Sequence, residues 1–252
     1  MLQPVLGGSN FSLNLPNMTI PPEPYYPERV DPATLGSWLS FSLDFFSGPE
    51  LQNPYLDITL QLDVTEAYAR YSVLKAEEGK GTFFAFLLWH LAGALRSHPS
   101  FNLRRAGEEW YLLHNPPFFI PVAVGGAKRF GEIVLEDVYR QDYRTFTRIY
   151  LEKLERARMP DGGTVHSSDV FNYAHFVGNL PNLRFTGMTL HWRPSQMQGQ
   201  SFFYFGQRYC DGERLLIPLC VKLHHACTDF LVLDELVKDF GRRLASDSLL
   251  RG

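Results

Sequence analysis

The chain has 252 residues, 45% hydrophobic and 20% charged, enough to bury a sizeable core in one large domain or two small ones. A net charge of −3 with no Lys/Arg cluster gives no footprint for nucleic acid, and no apolar run reaches the length of a membrane span. The cysteines Cys210, Cys220 and Cys227 form no CxxC pair, and no basic residue before Arg29 builds a signal-peptide n-region, so a reducing, cytoplasmic setting is expected.

Residues 1–30 are rich in Pro, Gly and Asn without sustained periodicity and read as an extended arm, with residues 31–252 forming a single α/β domain. In "YLDITLQLDVT" the residues Leu56, Ile58, Leu60, Leu62 and Val64 alternate with polar ones, the signature of a half-buried strand. Thr65 is then a candidate cap for a helix over 66–78 that stops at Gly79. The stretch 82–98 is apolar almost all round and suits a helix packed deep against a sheet until Pro99 ends it. Short strands are expected near 109–113, 120–124 and 131–136. An amphipathic helix follows over 141–158, broken by "DGG" at 161–163. "QSFFYFGQRY" and "ERLLIPLCVKL" flank Asp211–Gly212 as a long hairpin, and "LVLDELVKDFGRRLA" has helical apolar spacing.

Between that hairpin and the last helix lies "LHHACTDF", residues 223–230. A loop held between a strand and a helix positions side chains well, and an imidazole near its ordinary pKa takes a proton from a hydroxyl, thiol or amine at neutral pH. His224 and His225 are therefore either a catalytic base with its neighbour or two satisfied polar residues at a strand end. Asp229, four residues on, either pairs with a cation or holds the loop. His90 and His98 sit on or near the apolar helix as packing or capping residues. His114, His166, His175 and His191 show no metal-ligand spacing with one another or with the cysteines, and no metal site is expected.

The strand, HHxxxD and helix together resemble the chloramphenicol acetyltransferase-like acyltransferases, whose signature is HHxxxDG. "GERLLIPLCVKLHHACTD" is similar to that family's final strand and catalytic loop. "TFFAFLLWHLAGALRSHPSFNLR" resembles its early buried helix, and "YLDITLQLDVT" the strand before it. The resemblance implies a two-layer α/β sandwich with a mixed sheet and packed helices. It implies His225 as general base, His224 as supporting neighbour and Asp229 as a structural residue that pairs with an arginine near the N-terminus. It further implies acetyl-CoA or another acyl-CoA as co-substrate with no tightly bound cofactor, a small-molecule acceptor, and a homotrimer with active sites between subunits.

The pattern is broken in three places. Phe230 stands where the signature has glycine, Gly178 of "VGNLP" where the family has an oxyanion-stabilising serine, and Ser40 where it has the arginine partner of the motif aspartate. Arg184 and Arg208 are candidate replacements for that arginine, and Tyr204 aligns near a threonine of the oxyanion region. Phe45 and Phe46 are candidates to line an apolar acceptor pocket. Cys227 inside the signature is a weaker candidate nucleophile. The expected function is CoA-dependent O- or N-acyl transfer to a small molecule other than chloramphenicol. The alternative is a relative that has lost acyl transfer and binds a ligand, assembles, or uses the histidine for another proton transfer such as cyclisation.

Overall fold

Alternation along β2 (Tyr55–Asp63) sets the two sides of the main sheet. Leu56, Ile58 and Leu62 pack against the principal core, while Tyr55, Asp57, Thr59 and Gln61 point the other way. This comes from a computed structural model that describes residues 20–48, 51, 53–79, 81–125, 129–159, 168–191 and 199–246. Residues 1–19 of the expected arm and the "DGG" break lie outside the described residues.

The seven-stranded sheet is built around β10 (Arg214–His224), which pairs antiparallel with β2 on one side and with β8 (Phe202–Phe205) on the other. It continues through β7 (His175–Asn179) and β5 (Phe118–Gly125) to β6 (Arg129–Leu135), and β9 (Tyr209–Asp211) pairs with the start of β10. β5, β7 and β8 run parallel, so the sheet is mixed. Four helices cover one face: α2 (Thr65–Glu78), α3 (Phe83–Ser97), α4 (Tyr143–Arg158) and α6 (Phe230–Ala245). The class is a mixed α/β two-layer sandwich. α3 is buried on most of its surface, and its start is fixed by Thr82, whose hydroxyl accepts from the Ala85 amide at 3.0 Å.

Two sequence expectations change in detail. Thr65 is the first helical residue and does not cap α2; Asp63 takes its amide and hydroxyl protons, and the Thr65 hydroxyl accepts from the Leu215 amide at 2.8 Å. The expected hairpin is split: Gly212, at φ 62, turns β9 into β10, whereas β8 stops at Phe205 opposite Leu219. The next residue of β10 in that direction is Pro218, which has no N–H for the ladder, although its carbonyl still accepts from Gly206.

A smaller sheet, in the order β1-β4-β3, joins β1 (Pro27–Val30), β4 (Glu109–Leu113) and β3 (Leu103–Ala106). The last residues of the expected arm are thus a strand. Two further helices, α1 (Ser37–Phe45) and α5 (Ser168–Tyr173), lie away from the four-helix layer in sequence stretches without clear periodicity.

Candidate active site

β10 ends at His224, so adjacent histidines leave the sheet in opposite directions and into different surroundings. His224 is buried, edge-on to Tyr55 at 4.8 Å and near Trp110 at 6.3 Å. Its Nδ1 accepts from the Ala226 amide at 3.2 Å, which puts the ring proton on Nε2. Burial, with Arg104, Arg105 and His225 adding positive charge nearby, pushes its pKa down to about 3. A base that weak stays neutral and holds no proton taken from a substrate near pH 7.

His225 is half-buried. Its backbone is pinned from both ends: its amide donates to the Pro54 carbonyl at 2.7 Å, and its carbonyl accepts from the Ser42 hydroxyl at 2.9 Å. The imidazole stacks on Phe46 with ring centroids 3.9 Å apart, and Nδ1 lies 3.3 Å from the Thr228 carbonyl oxygen. A carbonyl only accepts, so Nδ1 carries the proton in this contact and Nε2 keeps its lone pair. The two histidines therefore hold opposite tautomers, and the one with Nε2 available as a base is His225.

Asp229 is the N-cap of α6: one carboxylate oxygen accepts from the amides of Leu231 at 2.8 Å and Val232 at 3.0 Å. Neither suggested arginine reaches it. Arg184 lies over the Tyr209 ring at 3.6 Å, and Arg208 over the rings of Tyr68 and Phe83. Ser40 sits within α1, its amide bonded to Gly36. Phe230, in the glycine position of the signature, is the first helical residue and is 57% exposed, so its bulk meets solvent. Cys227 is buried and its thiol is pushed up to about 12 by burial, which leaves it protonated and a poor nucleophile.

The remaining candidates form a second cluster. Gly178 in β7 pairs with Tyr204 in β8. A Cβ built at Gly178 would lie 2.4 Å from Cδ1 and 2.5 Å from Cε1 of that ring. The tyrosine ring therefore occupies the space into which a side chain at Gly178 would project. Tyr204 packs on Phe176 at 5.4 Å with the rings 29° apart, on the sheet face away from the four-helix layer. Burial raises its pKa well above the ordinary phenol value, so the hydroxyl remains a hydrogen-bond donor.

The structure brings Phe45, Phe46 and His225 together, with Phe45 edge-on to Phe46 at 5.0 Å. It does not bring Gly178 and Tyr204 to them. Tyr204 pairs with Cys220, five residues before His225, so roughly 16 Å of β-strand separates the two clusters. Sequence reading missed Ser42, a buried hydroxyl in an aromatic helix, and Trp110 with Tyr55, which box in His224. The lone serine between Phe41 and Leu43 is the one signal that could have drawn attention to α1.

A two-layer mixed-sheet fold with a strand-end HHxxxD loop defines an acyltransferase class of site. The chain matches the family model described as chloramphenicol acetyltransferase over residues 50–240 and belongs to that family. A chloramphenicol acetyltransferase from Escherichia coli is 24% identical over 172 residues, covering 68% of this chain and 74% of the relative. A solved chloramphenicol acetyltransferase aligns with a TM-score of 0.73 at 20% identity, covering 86% of this chain and 99% of that one. A dihydrolipoamide acetyltransferase from Azotobacter vinelandii shares the fold with a TM-score of 0.63 at 18% identity, over 82% of this chain and 86% of the other.

Proposed function

We propose that the protein transfers an acyl group from acyl-coenzyme A to the hydroxyl or amine of a small acceptor other than chloramphenicol, with His225 as general base. The carrying observation is the pair of contacts at that ring: stacking on Phe46 fixes its plane, and the Thr228 carbonyl holds the proton on Nδ1. Nε2 takes the proton of the acceptor as its oxygen or nitrogen attacks the thioester carbonyl. The tetrahedral intermediate collapses by breaking the C–S bond, and the departing thiolate takes the proton back from the imidazolium. Asp229 supports the loop by capping α6, and His224 anchors the strand end.

The oxyanion of that intermediate needs a donor, and Gly178 has no side chain to offer. Tyr204 supplies it in this reading, its phenol replacing the absent serine hydroxyl. Within one chain that phenol is too far from His225. The active site therefore combines His225, Phe45 and Phe46 of one subunit with Tyr204 of the next, in a homotrimer. A separate cleft of about 360 Å³, lined by Thr82, Asn179, Pro181 and Arg208, lies on the helix-covered face of the sheet, away from the Tyr204 ring.

Incubation with acetyl-CoA and a panel of hydroxyl and amine acceptors, following release of free thiol, tests this. Turnover that His225→Ala abolishes supports the reading. Absence of thiol release with every acceptor favours a relative that has lost acyl transfer, a reading fed by the missing serine. Light scattering at micromolar concentration tests the assembly: a monomeric mass removes the two-chain site.

A further inference from the structure

At the opposite end of the helical layer, α3, the start of α4 and the end of α6 enclose a cleft of about 580 Å³. On α3, the spacing of His90, Gly93, Arg96 and Ser97 puts all four on the wall of this cleft. Arg243 is thirteen residues along α6 from Phe230, so the cleft lies about 20 Å from the signature loop.

Two features of the lining have no explanation in the fold. His90 is 1% exposed, and neither ring nitrogen has a hydrogen-bond partner among the described residues. An unpaired buried polar group is destabilising, and a leucine at this position of an apolar helix avoids that cost. Arg96 donates to the Tyr139 carbonyl at 3.0 Å but has no carboxylate partner among the described residues. Further positive charge surrounds them. Arg243 rests against Gly93, where an added Cβ would stand 2.8 Å from its Nη1, and Arg140, which pairs with Asp137 at 3.9 Å and donates to the Tyr26 hydroxyl at 2.8 Å, forms another part of the wall. The acidic groups nearby are already engaged. Asp142 caps α4 through Thr145, and Asp239 binds Arg243 at 2.9 Å and lies 3.7 Å from His98.

We propose that this cleft is a binding site for a small oxyanion, a carboxylate or phosphate group, held by Arg96 and the rim of Arg243 with His90 at its floor. Arginine's planar fork matches both oxyanions, and charge-assisted bonds of this kind are the strong ones. The imidazole stays neutral because burial, with Arg243 and Arg70 nearby, lowers its pKa to about 3, and a neutral imidazole still offers one N–H to an anion. Access past the guanidinium rim favours a compact head group, and the remaining volume accommodates a small organic body.

The test is titration of the full chain with inorganic phosphate and, separately, with citrate, read by thermal shift and calorimetry against equal ionic strength of sodium chloride. At least one oxyanion should give a saturable rise in Tm, and which one responds identifies the head group. Arg96→Gln, an exposed change, should weaken that binding roughly tenfold or more. Arg208→Ala, in the other cleft, should leave it unchanged. His90→Leu should raise the Tm of the ligand-free chain and reduce the response to the oxyanion. The proposal is overturned if neither oxyanion differs from chloride, if Arg96→Gln or His90→Leu binds like the parent, or if Arg208→Ala alone removes the response.

Discussion

In the proposed reaction the His225 loop supplies the base and the Gly178–Tyr204 strand pair the oxyanion donor, and the two regions are built differently. The loop carries His224, His225 and Asp229 with Phe230 where the resembling signature has glycine, and His225 is fixed in plane and tautomer by Phe46 and Thr228. In the strand pair Gly178 of β7 has no side chain, and the Tyr204 ring of β8 lies across the gap. Proton transfer depends on one nitrogen at one place, so it tolerates little redesign. An oxyanion donor can come from any hydroxyl or amide that reaches the same point.

The largest expected effect tests the loop. His225→Ala should lower turnover roughly 100- to 10,000-fold with the fold intact, measured by thiol release. Near-parental turnover in that variant would place the chemistry elsewhere. In the strand pair, Tyr204→Phe should lower kcat by roughly 100-fold while leaving Tm almost unchanged, since only the hydroxyl is lost. A Tm loss without a kcat loss would make the tyrosine a packing residue.

The coupling between the two strands is open to a double-mutant cycle. Gly178→Ser should destabilise by about 1–3 kcal/mol in the presence of the Tyr204 ring, because the new Cβ overlaps it. Combined with Tyr204→Thr, the same serine should be tolerated, giving a non-additive cycle in chemical denaturation. Additive losses would mean that the ring moves freely out of the way.

Acid sensitivity reports on the two buried histidines, His224 and His90. His224 and His90 are held at about 3 in the folded chain against an ordinary 6.5. Over that window the unfolded chain binds more protons, so stability is full above about 6.5 and falls as pH drops toward 3. Each group contributes up to about 1.4 kcal/mol per pH unit. Denaturation at pH 7 and pH 5 should show the loss, and His90→Leu should make it shallower.

The smallest effect concerns Asp229. Asp229→Ala should cost about 1 kcal/mol as α6 loses its cap, while Asp229→Asn should cost less because asparagine caps nearly as well. A large activity loss in the asparagine variant with Tm unchanged would give the carboxylate a direct chemical role.

Much of the architecture was legible because periodicity is local. The alternation of β2, the all-round apolarity of α3 and the amphipathic stripe of α4 each reflect one element's own burial. β1, β3 and β7 were not legible, since strands of four or five residues owe their existence to partners far along the chain. The break between β8 and β9 was equally hidden: it follows from Pro218 lying opposite, a fact of register.

By itself the sequence determined the sandwich class and the histidine pair at a strand end, because spacing and alternation carry both. Tertiary structure decided what each residue meets. It gave Asp229 two backbone amides in place of an arginine, set Tyr204 across Gly178, and put the two histidines in opposite tautomers. A residue's partners across the fold are fixed by packing, and contacts such as Ser42 to His225, 183 positions apart, leave no trace in local pattern.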